Sequence, residues 1–185
     1  MSLGLYLHIP YCFSKCRYCD FYSAPGQRGV PRAYVDALLR ELSRFAPDAP
    51  LRPDTLYFGG GTPSLLDPAD AARLIAAAQP LPGAEITLEA NPETVPEDSL
   101  RAFREAGVNR ISFGVQSARD SQLQTLGRPH TAKQARAAFA AARRAGFENL
   151  SGDIMLALPH YTQAEFDETP VSYTHLRAHE TDQYL

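Results

Sequence analysis

Five short apolar segments, rich in β-branched and aromatic residues, alternate along this chain with longer segments of helical periodicity. They cover residues 3–9, 55–58, 85–89, 110–115 and 150–156. Short apolar segments of this composition are typical of β-strands. When a helix follows each strand, the next strand runs in the same direction, so the sheet must be parallel. The pattern therefore predicts an α/β fold of about five βα units.

Residues at the ends of the helical segments support this interpretation. Asp67 and Thr131 stand at predicted N-caps, where a side-chain oxygen accepts a hydrogen bond from the first helical turn. Gly107 and Gly146 stand at predicted C-terminal ends, where glycine adopts the left-handed conformation easily. Residues 135–146 carry small apolar side chains along one face. We predict that this segment is a helix that covers the sheet.

Polar or glycine-rich segments directly follow the first four predicted strands. They are a loop with three cysteines, residues 59–63 (GGGTP), residues 89–92 (EANP) and Gln116. The carboxyl ends of parallel strands meet at one edge of a sheet, and ligands of α/β proteins bind there. The sequence therefore predicts one binding site built from segments that are far apart along the chain.

Length and charge limit the classes of function. The chain has 185 residues, 44% of them hydrophobic, and a formal net charge of −3, which fits one domain with a sizeable core. No run of five basic residues occurs, so we expect no nucleic-acid partner. No segment approaches the ~20 apolar residues of a membrane helix, and no basic leader precedes an apolar run. We expect a cytoplasmic protein with no integral membrane segment.

The only three cysteines, Cys12, Cys16 and Cys19, form a C-x3-C-x2-C motif directly after the first strand. An odd number in so short a loop argues against disulfides. Three thiolates bind three irons of a [4Fe-4S] cluster and leave the fourth iron open to an exchangeable ligand. The alternative is a zinc site completed by His8. We favour the cluster because zinc sites usually contain two Cys-x2-Cys pairs and the chain has one.

The motif and its surroundings resemble one protein family in detail. C-x3-C-x2-C is the signature of the radical S-adenosylmethionine (SAM) superfamily. The flanking YLHIPYCFSKCRYCDFYS is similar to the branch of oxygen-independent coproporphyrinogen III oxidases and HemW heme chaperones. YFGGGTPSLL, ITLEANPET, GVNRISFGVQS, LGRPHT and DIMLALP continue the resemblance in order. It implies a partial (β/α)6 TIM-like radical SAM barrel, truncated after about five βα units, with residues 1–169 as the incomplete core.

The resemblance also implies the cofactors and their ligands. Cys12, Cys16 and Cys19 would hold the [4Fe-4S] cluster, and SAM would bind its open iron. Glycines 60 and 61 would let the backbone approach SAM closely, since glycine has no Cβ. The residues that the resemblance assigns to SAM binding are Tyr6, Tyr18, Gly60, Gly61, Thr62, Glu89, Gln116, Arg128 and Asp153.

Position 21 separates two functions within this branch. Oxidases resemble C-x3-C-x2-C-x-C, whereas this chain has Phe21 in place of the last cysteine. The resemblance therefore favours a heme chaperone that transfers heme to an acceptor protein, with the heme site in a C-terminal part that is missing here. The alternative is an oxygen-independent coproporphyrinogen III oxidase. A radical SAM enzyme with another substrate is a third possibility.

Residues 170–185 do not continue the βα pattern. They are rich in Tyr, Thr and His, and SYTHLRAHET resembles a translated sequencing adapter. We interpret this segment as a non-native tail, the alternative being a natural divergent tail. His175 and His179 lie in it, and we assign them no role. His130, in the LGRPHT segment, matches the family pattern, and a hydrogen bond within a loop is an equal alternative for it.

Overall fold

The computed structural model describes residues 2–45, 50–156, 158, 162, 164–165, 167–170 and 172. Its centre is a parallel sheet of five strands in the order β1 to β5. The strands are β1 (Gly4–Ile9), β2 (Thr55–Gly60), β3 (Glu85–Ala90), β4 (Arg110–Gln116) and β5 (Asn149–Ile154). The helices are α1 (Arg32–Phe45), α2 (Pro68–Ala78), α3 (Glu97–Glu105), α4 (Asp120–Leu126) and α5 (Ala132–Arg144), with a short 3-10 helix at Pro63–Leu65.

Consecutive strands lie side by side, which is the arrangement of one arc of a (β/α) barrel. The predicted α/β class and the parallel sheet are confirmed, with four βα units followed by a fifth strand among the described residues. The strand limits differ from prediction by up to two residues. β2 continues to Gly60, which still pairs with Ile9 of β1. The fifth strand ends at Ile154, two residues before its predicted end.

The predicted helix ends are also confirmed. Asp67 caps α2, because its Oδ1 accepts from the amide of Ala69 at 2.8 Å. Thr131 and Gln134 form a reciprocal capping box at the start of α5. Gly107 and Gly146 follow the C-caps of α3 and α5 with φ of +110° and +90°. Local chemistry therefore fixes where these helices begin and end.

The helices cover one face of the sheet and make the hydrophobic core. Alternate residues of the strands point towards them, because side chains along a strand alternate between faces. Among the side chains with no exposed surface are Leu56, Phe58, Leu88, Ile111 and Phe113. Phe113 packs against Phe139 of α5 with a ring separation of 4.9 Å. No helix among the described residues is both long and apolar enough to cross a membrane.

The opposite face of the sheet is polar and forms the interior of the arc. Ser112 of β4 accepts from Ser151 of β5 at 2.9 Å and donates to Asp153 at 3.3 Å. Arg110 bridges Thr87 of β3 and Ser151. The polar residues of this inner face are therefore joined across three strands.

Candidate functional site

The cysteine loop follows β1 and is held in place at several points. Cys12 pairs with the backbone of Ala24, whose carbonyl accepts from its amide at 3.0 Å. The tip of the loop is attached to a distant part of the chain, since the amide of Arg17 donates to the carbonyl of Leu126 at 3.0 Å. A Cβ added to Gly127 would lie 3.2 Å from the Arg17 side chain. The end of α4 therefore supports the loop.

All three cysteines are free thiols, Cys12 buried and the other two half-buried. All three line one pocket of about 130 Å³ at the carboxyl edge of the sheet. Within the described part of the chain, no three Cys, His, Asp or Glu side chains are already gathered around one point. Three thiols on one loop are nevertheless the donor set of an iron-sulfur cluster.

His8, the fourth ligand of the alternative zinc site, has other partners for both ring nitrogens. Nδ1 lies 3.2 Å from the hydroxyl of Tyr6, and Nε2 lies 3.0 Å from the carbonyl oxygen of Tyr22. The ring therefore connects β1 to the far end of the cysteine loop.

The glycine turn after β2 packs tightly against β1 and the cysteine loop. Gly60 has a φ of +124°, and a Cβ there would lie 2.8 Å from the ring of His8. A Cβ on Gly61 would lie 2.6 Å from the carbonyl oxygen of Tyr11. Both positions require glycine, because a side chain would strain the backbone or collide with backbone atoms. A larger residue would therefore disturb the turn itself as well as any ligand near it.

Glu89, at the end of β3, is held by two donors. Its carboxylate accepts from the hydroxyl of Tyr57 at 2.8 Å and from the amide of Gly60 at 3.1 Å. Burial, followed by the nearby Asp153 carboxylate, raises the pKa of Glu89 despite these hydrogen bonds. Burial likewise raises the pKa of Asp153, against the opposing hydrogen bond from Ser112. The half-buried Glu89 and the more exposed Asp153 therefore share the inner face and favour a ligand with donors or positive charge.

Gln116 ends β4 in the left-handed conformation, with a φ of +66°. The pairing of β4 with β5 shifts register between Gly114 and Gln116, so the strand carries a bulge there. A non-glycine residue in this conformation costs about 1–3 kcal/mol, and such strain is concentrated at functional sites. The bulge turns Gln116 into the lining of the pocket.

Arg128, in the loop between α4 and α5, is almost fully buried beside the cysteines. Its Nη2 donates to Asn91 Oδ1 and to the carbonyl of Gly114, both at 2.7 Å, and its Nη1 lies 3.4 Å from Cys16 Sγ. Its Nε is buried and has no hydrogen-bond partner among the described residues. Close by, burial raises the pKa of Tyr18 to about 12. A buried cation with one spare donor suits an anionic group such as a carboxylate.

The pocket brings together every residue predicted for the cluster and for SAM except Tyr6. Those that line it are Cys12, Cys16, Tyr18, Cys19, Gly60, Gly61, Thr62, Glu89, Gln116, Arg128 and Asp153. Tyr6 lies on the neighbouring part of the inner face, where its ring stacks on Tyr57 at 5.9 Å.

The sequence profile of the radical SAM superfamily matches residues 6–169. This chain belongs to the radical SAM superfamily. The HemW heme chaperones of Haemophilus influenzae and Escherichia coli are 39% and 43% identical to it. Each match covers 88% of this chain and 45% of the relative. A mitochondrial radical S-adenosyl methionine domain-containing protein 1 of Bos taurus is 41% identical over 84% of this chain and 36% of its own length.

Solved structures agree with this assignment. Coproporphyrinogen III oxidase (HemN) from Escherichia coli, a radical SAM enzyme, superposes with a TM-score of 0.84 at 31% identity. It is matched over 95% of this chain and 42% of its own length. The cobalamin-dependent radical SAM enzyme OxsB has a TM-score of 0.64 at 15% identity, over 91% of this chain and 26% of its own, which shows the fold alone. The prediction of a partial radical SAM barrel is confirmed, and the chain spans less than half the length of these relatives.

Several residues that line this pocket were not assigned a role from the sequence. Asn91 and Ser112 line the pocket together with Lys15. Ser112 is recognisable from strand alternation, since it shares the inner face with Asp153. Asn91 belongs to the EANP segment, but its side-chain partners Thr62 and Arg128 lie in distant loops, so the sequence gives no local signal.

His130 is a buried structural residue in this radical SAM domain. Its Nε2 lies 3.2 Å from the carbonyl oxygen of Val115, and its Nδ1 lies 3.2 Å from Glu93 Oε2. Burial opposes ionisation of Glu93, but the contacts with His130 and Arg128 prevail and lower the pKa of Glu93. The hydrogen bond of His130 is therefore made to the backbone of β4 and not within its own loop. His175, His179 and most of the predicted tail lie outside the described residues.

Proposed function

We propose that this chain is the cofactor-binding part of a HemW-like heme chaperone. It binds a [4Fe-4S] cluster and SAM, and the full-length protein transfers heme to an acceptor protein in the cytoplasm. The observation that supports cofactor binding best is the single pocket that contains three free thiols, two carboxyl groups with raised pKa values and a buried arginine. The similarity to HemW chaperones supports the transfer of heme.

The residues of the pocket fit these cofactors by their chemistry. Cys12, Cys16 and Cys19 hold the cluster, which when bound supplies the electron for cleavage of a C–S bond of SAM. Arg128, a buried cation beside the cysteines, would hold the SAM carboxylate. Glu89 binds donors of SAM, and its ionised form is favoured once a cationic sulfonium ligand is near.

Phe21 supports the chaperone over the oxidase. It lines the pocket beside the cysteines and 68% of its surface is exposed. Phe21 has no thiol, whereas the oxidase motif C-x3-C-x2-C-x-C has a cysteine at this position. The second candidate, an oxygen-independent coproporphyrinogen III oxidase, is favoured by the structural similarity to HemN at a TM-score of 0.84.

Cluster binding is tested by anaerobic reconstitution followed by iron and sulfide analysis. We expect about four irons and four sulfides per chain. Cys16→Ala should abolish the cluster, because two thiolates hold it poorly. Ser14→Ala in the same loop is the matched control and should load fully. Bound zinc without sulfide in the wild-type chain would contradict cluster binding.

The choice between chaperone and oxidase is tested on a full-length protein that carries this domain. We expect it to bind heme and to leave coproporphyrinogen III unchanged in the presence of SAM and a reductant, as measured by anaerobic incubation and chromatography of porphyrins. Formation of protoporphyrinogen over many turnovers would replace the chaperone with the oxidase. Phe21→Cys is the matched variant that restores the thiol of the oxidase motif, and it should leave heme binding intact.

A further inference from the structure

We propose that Asn91 is a positioning residue that directs two hydrogen-bond donors onto sulfur atoms of the cluster-binding cysteines. The proposal rests on the cluster binding proposed above. Asn91 follows β3, and its half-buried side chain lies between Thr62 and Arg128. Among the described residues, its side chain has no hydrogen bond to a cysteine, so it acts on the cluster through these two neighbours.

The contacts form one continuous path, which we call the donor path (Thr62, Asn91 and Arg128). Thr62 Oγ1 lies 3.0 Å from Cys12 Sγ and 3.2 Å from Asn91 Nδ2. Asn91 Oδ1 accepts from Arg128 Nη2 at 2.7 Å, and Arg128 Nη1 lies 3.4 Å from Cys16 Sγ. The path therefore begins at one cluster cysteine and ends at another.

The direction of each hydrogen bond in the donor path follows from chemistry. A guanidinium has only donors, so the amide oxygen of Asn91 must face Arg128. The amide nitrogen then faces Thr62 and donates to its hydroxyl oxygen. The hydroxyl proton of Thr62 is left for Cys12, whose sulfur can only accept once it is a thiolate. In its thiol form Cys12 donates to the carbonyl of Ser14 at 2.9 Å, a bond that loss of the proton removes.

Hydrogen bonds to the sulfur atoms set the reduction potential of an iron-sulfur cluster. A donor stabilises the reduced state more than the oxidised state, because the reduced cluster is more negative. Thr62 and Arg128 have only 1% and 9% of their surface exposed, so water does not replace these donors, and the hydrogen bonds are strong in such an environment. The donor path therefore raises the cluster potential and makes the cluster easier to reduce.

Asn91→Asp tests the path because it changes little in shape and reverses one hydrogen bond. A carboxylate has no donor, so the hydroxyl of Thr62 turns to donate to residue 91 and leaves Cys12. We expect the reduction equilibrium constant to fall about tenfold, which is about 59 mV for one electron. The measurement is an EPR-monitored redox titration of the reconstituted chain without SAM, so any SAM contact of these residues does not contribute.

A second pair of variants separates the loss of the hydrogen bond from Thr62 to Cys12 from the effect of the negative charge that Asn91→Asp adds. Thr62→Val removes the hydroxyl and should lower the potential, whereas Thr62→Ser keeps it and should retain the wild-type value. In the Thr62→Val background, Asn91→Asp should have a smaller effect, since only its charge remains. Equal effects of Asn91→Asp in both backgrounds would overturn the proposal, as would unchanged potentials in Thr62→Val.

Failure of this inference is distinguishable from failure of the proposed function. A wild-type chain that binds no iron and sulfide refutes cluster binding itself. Fully loaded variants with unchanged potentials refute only the role of the donor path. If Asn91→Asp does not load, Asn91→Ala takes its place, and a fully loaded Asn91→Ala chain with the wild-type potential overturns the proposal.

Discussion

The two faces of the same sheet differ in what they contribute. The face towards the helices is apolar, and Phe113 and its neighbours there have no exposed surface. The inner face carries Glu89 and Asp153 with raised pKa values, and the strained Gln116 ends one of its strands. Because adjacent residues of one strand point to opposite faces, each strand both stabilises the fold and builds the pocket. The comparison indicates that the inner face lowers the stability of the unliganded chain in favour of binding.

The largest effect is expected on the helix-covered face. Phe113→Ala should lower the free energy of unfolding by about 3–5 kcal/mol, because the cavity that it leaves against Phe139 cannot fully close. Phe45→Ala is the matched control, since 76% of the Phe45 surface is exposed, and it should change stability by no more than about 0.5 kcal/mol. Urea denaturation measures both. Similar losses in the two variants would mean that this face is not the core.

On the inner face, replacement of Glu89 should raise the free energy of unfolding, by a smaller amount that depends on pH. The pKa of Glu89 is higher in the folded chain than its ordinary 4.5, so the folded state binds the extra proton. Stability from this group is present below about pH 4.5 and is lost as the pH rises through the folded pKa. Glu89→Gln does not titrate, and its stability relative to wild type should increase between pH 4.5 and pH 7.5 in urea denaturation. SAM binding should weaken at the same time.

Tyr57→Phe provides the opposite control for this experiment. It removes a hydrogen bond that lowers the pKa of Glu89, so the decline of stability should extend to higher pH than in wild type. If the stability difference between Glu89→Gln and wild type were the same at every pH, folding would not raise the pKa of Glu89.

The smallest effect on stability is expected from relief of backbone strain, which can be compared at the pocket and away from it. Gln79 and Gln116 both have a left-handed backbone, with φ of +49° and +66°, but Gln79 is exposed at the C-cap of α2. Replacement of either by glycine relieves the backbone strain, which stabilises the folded chain. The greater entropy of glycine in the unfolded state offsets part of this gain, so the net stabilisation should be at most about 1 kcal/mol. Only Gln116→Gly should weaken SAM binding, as measured by titration calorimetry. Weaker binding in Gln79→Gly would show that the effect is not local to the pocket.

The sequence predicts those features of the fold that depend on local patterns. The order of strands and helices and the caps at Asp67 and Thr131 follow from neighbouring residues, and the structure confirms them. The left-handed Gln116 was not predicted, because nothing near it in the sequence requires a bulge. It arises from the pairing of β4 with β5, a contact between distant segments.

The candidate site shows the same limit. That the polar residues meet at one edge follows from the parallel sheet, and the pocket contains eleven of the twelve predicted residues. The partners of each residue do not follow. Asn91 is only a polar residue after a strand in the sequence, whereas its amide joins Thr62 to Arg128 in the structure.

The attachment of the cysteine loop to the α4–α5 region has a consequence for synthesis of the protein. Cys16 and Arg128 are 112 positions apart, and ribosomes add about 5–20 residues per second. The thiols therefore emerge roughly 5–20 s before the segment that supports them, and they are open to oxidation during this interval. If iron and sulfide are delivered before residue 128 has emerged, the loop lacks the contacts that later hold Arg17 and Cys16. Growth of the chain thus sets the earliest moment at which the complete pocket can receive its cluster.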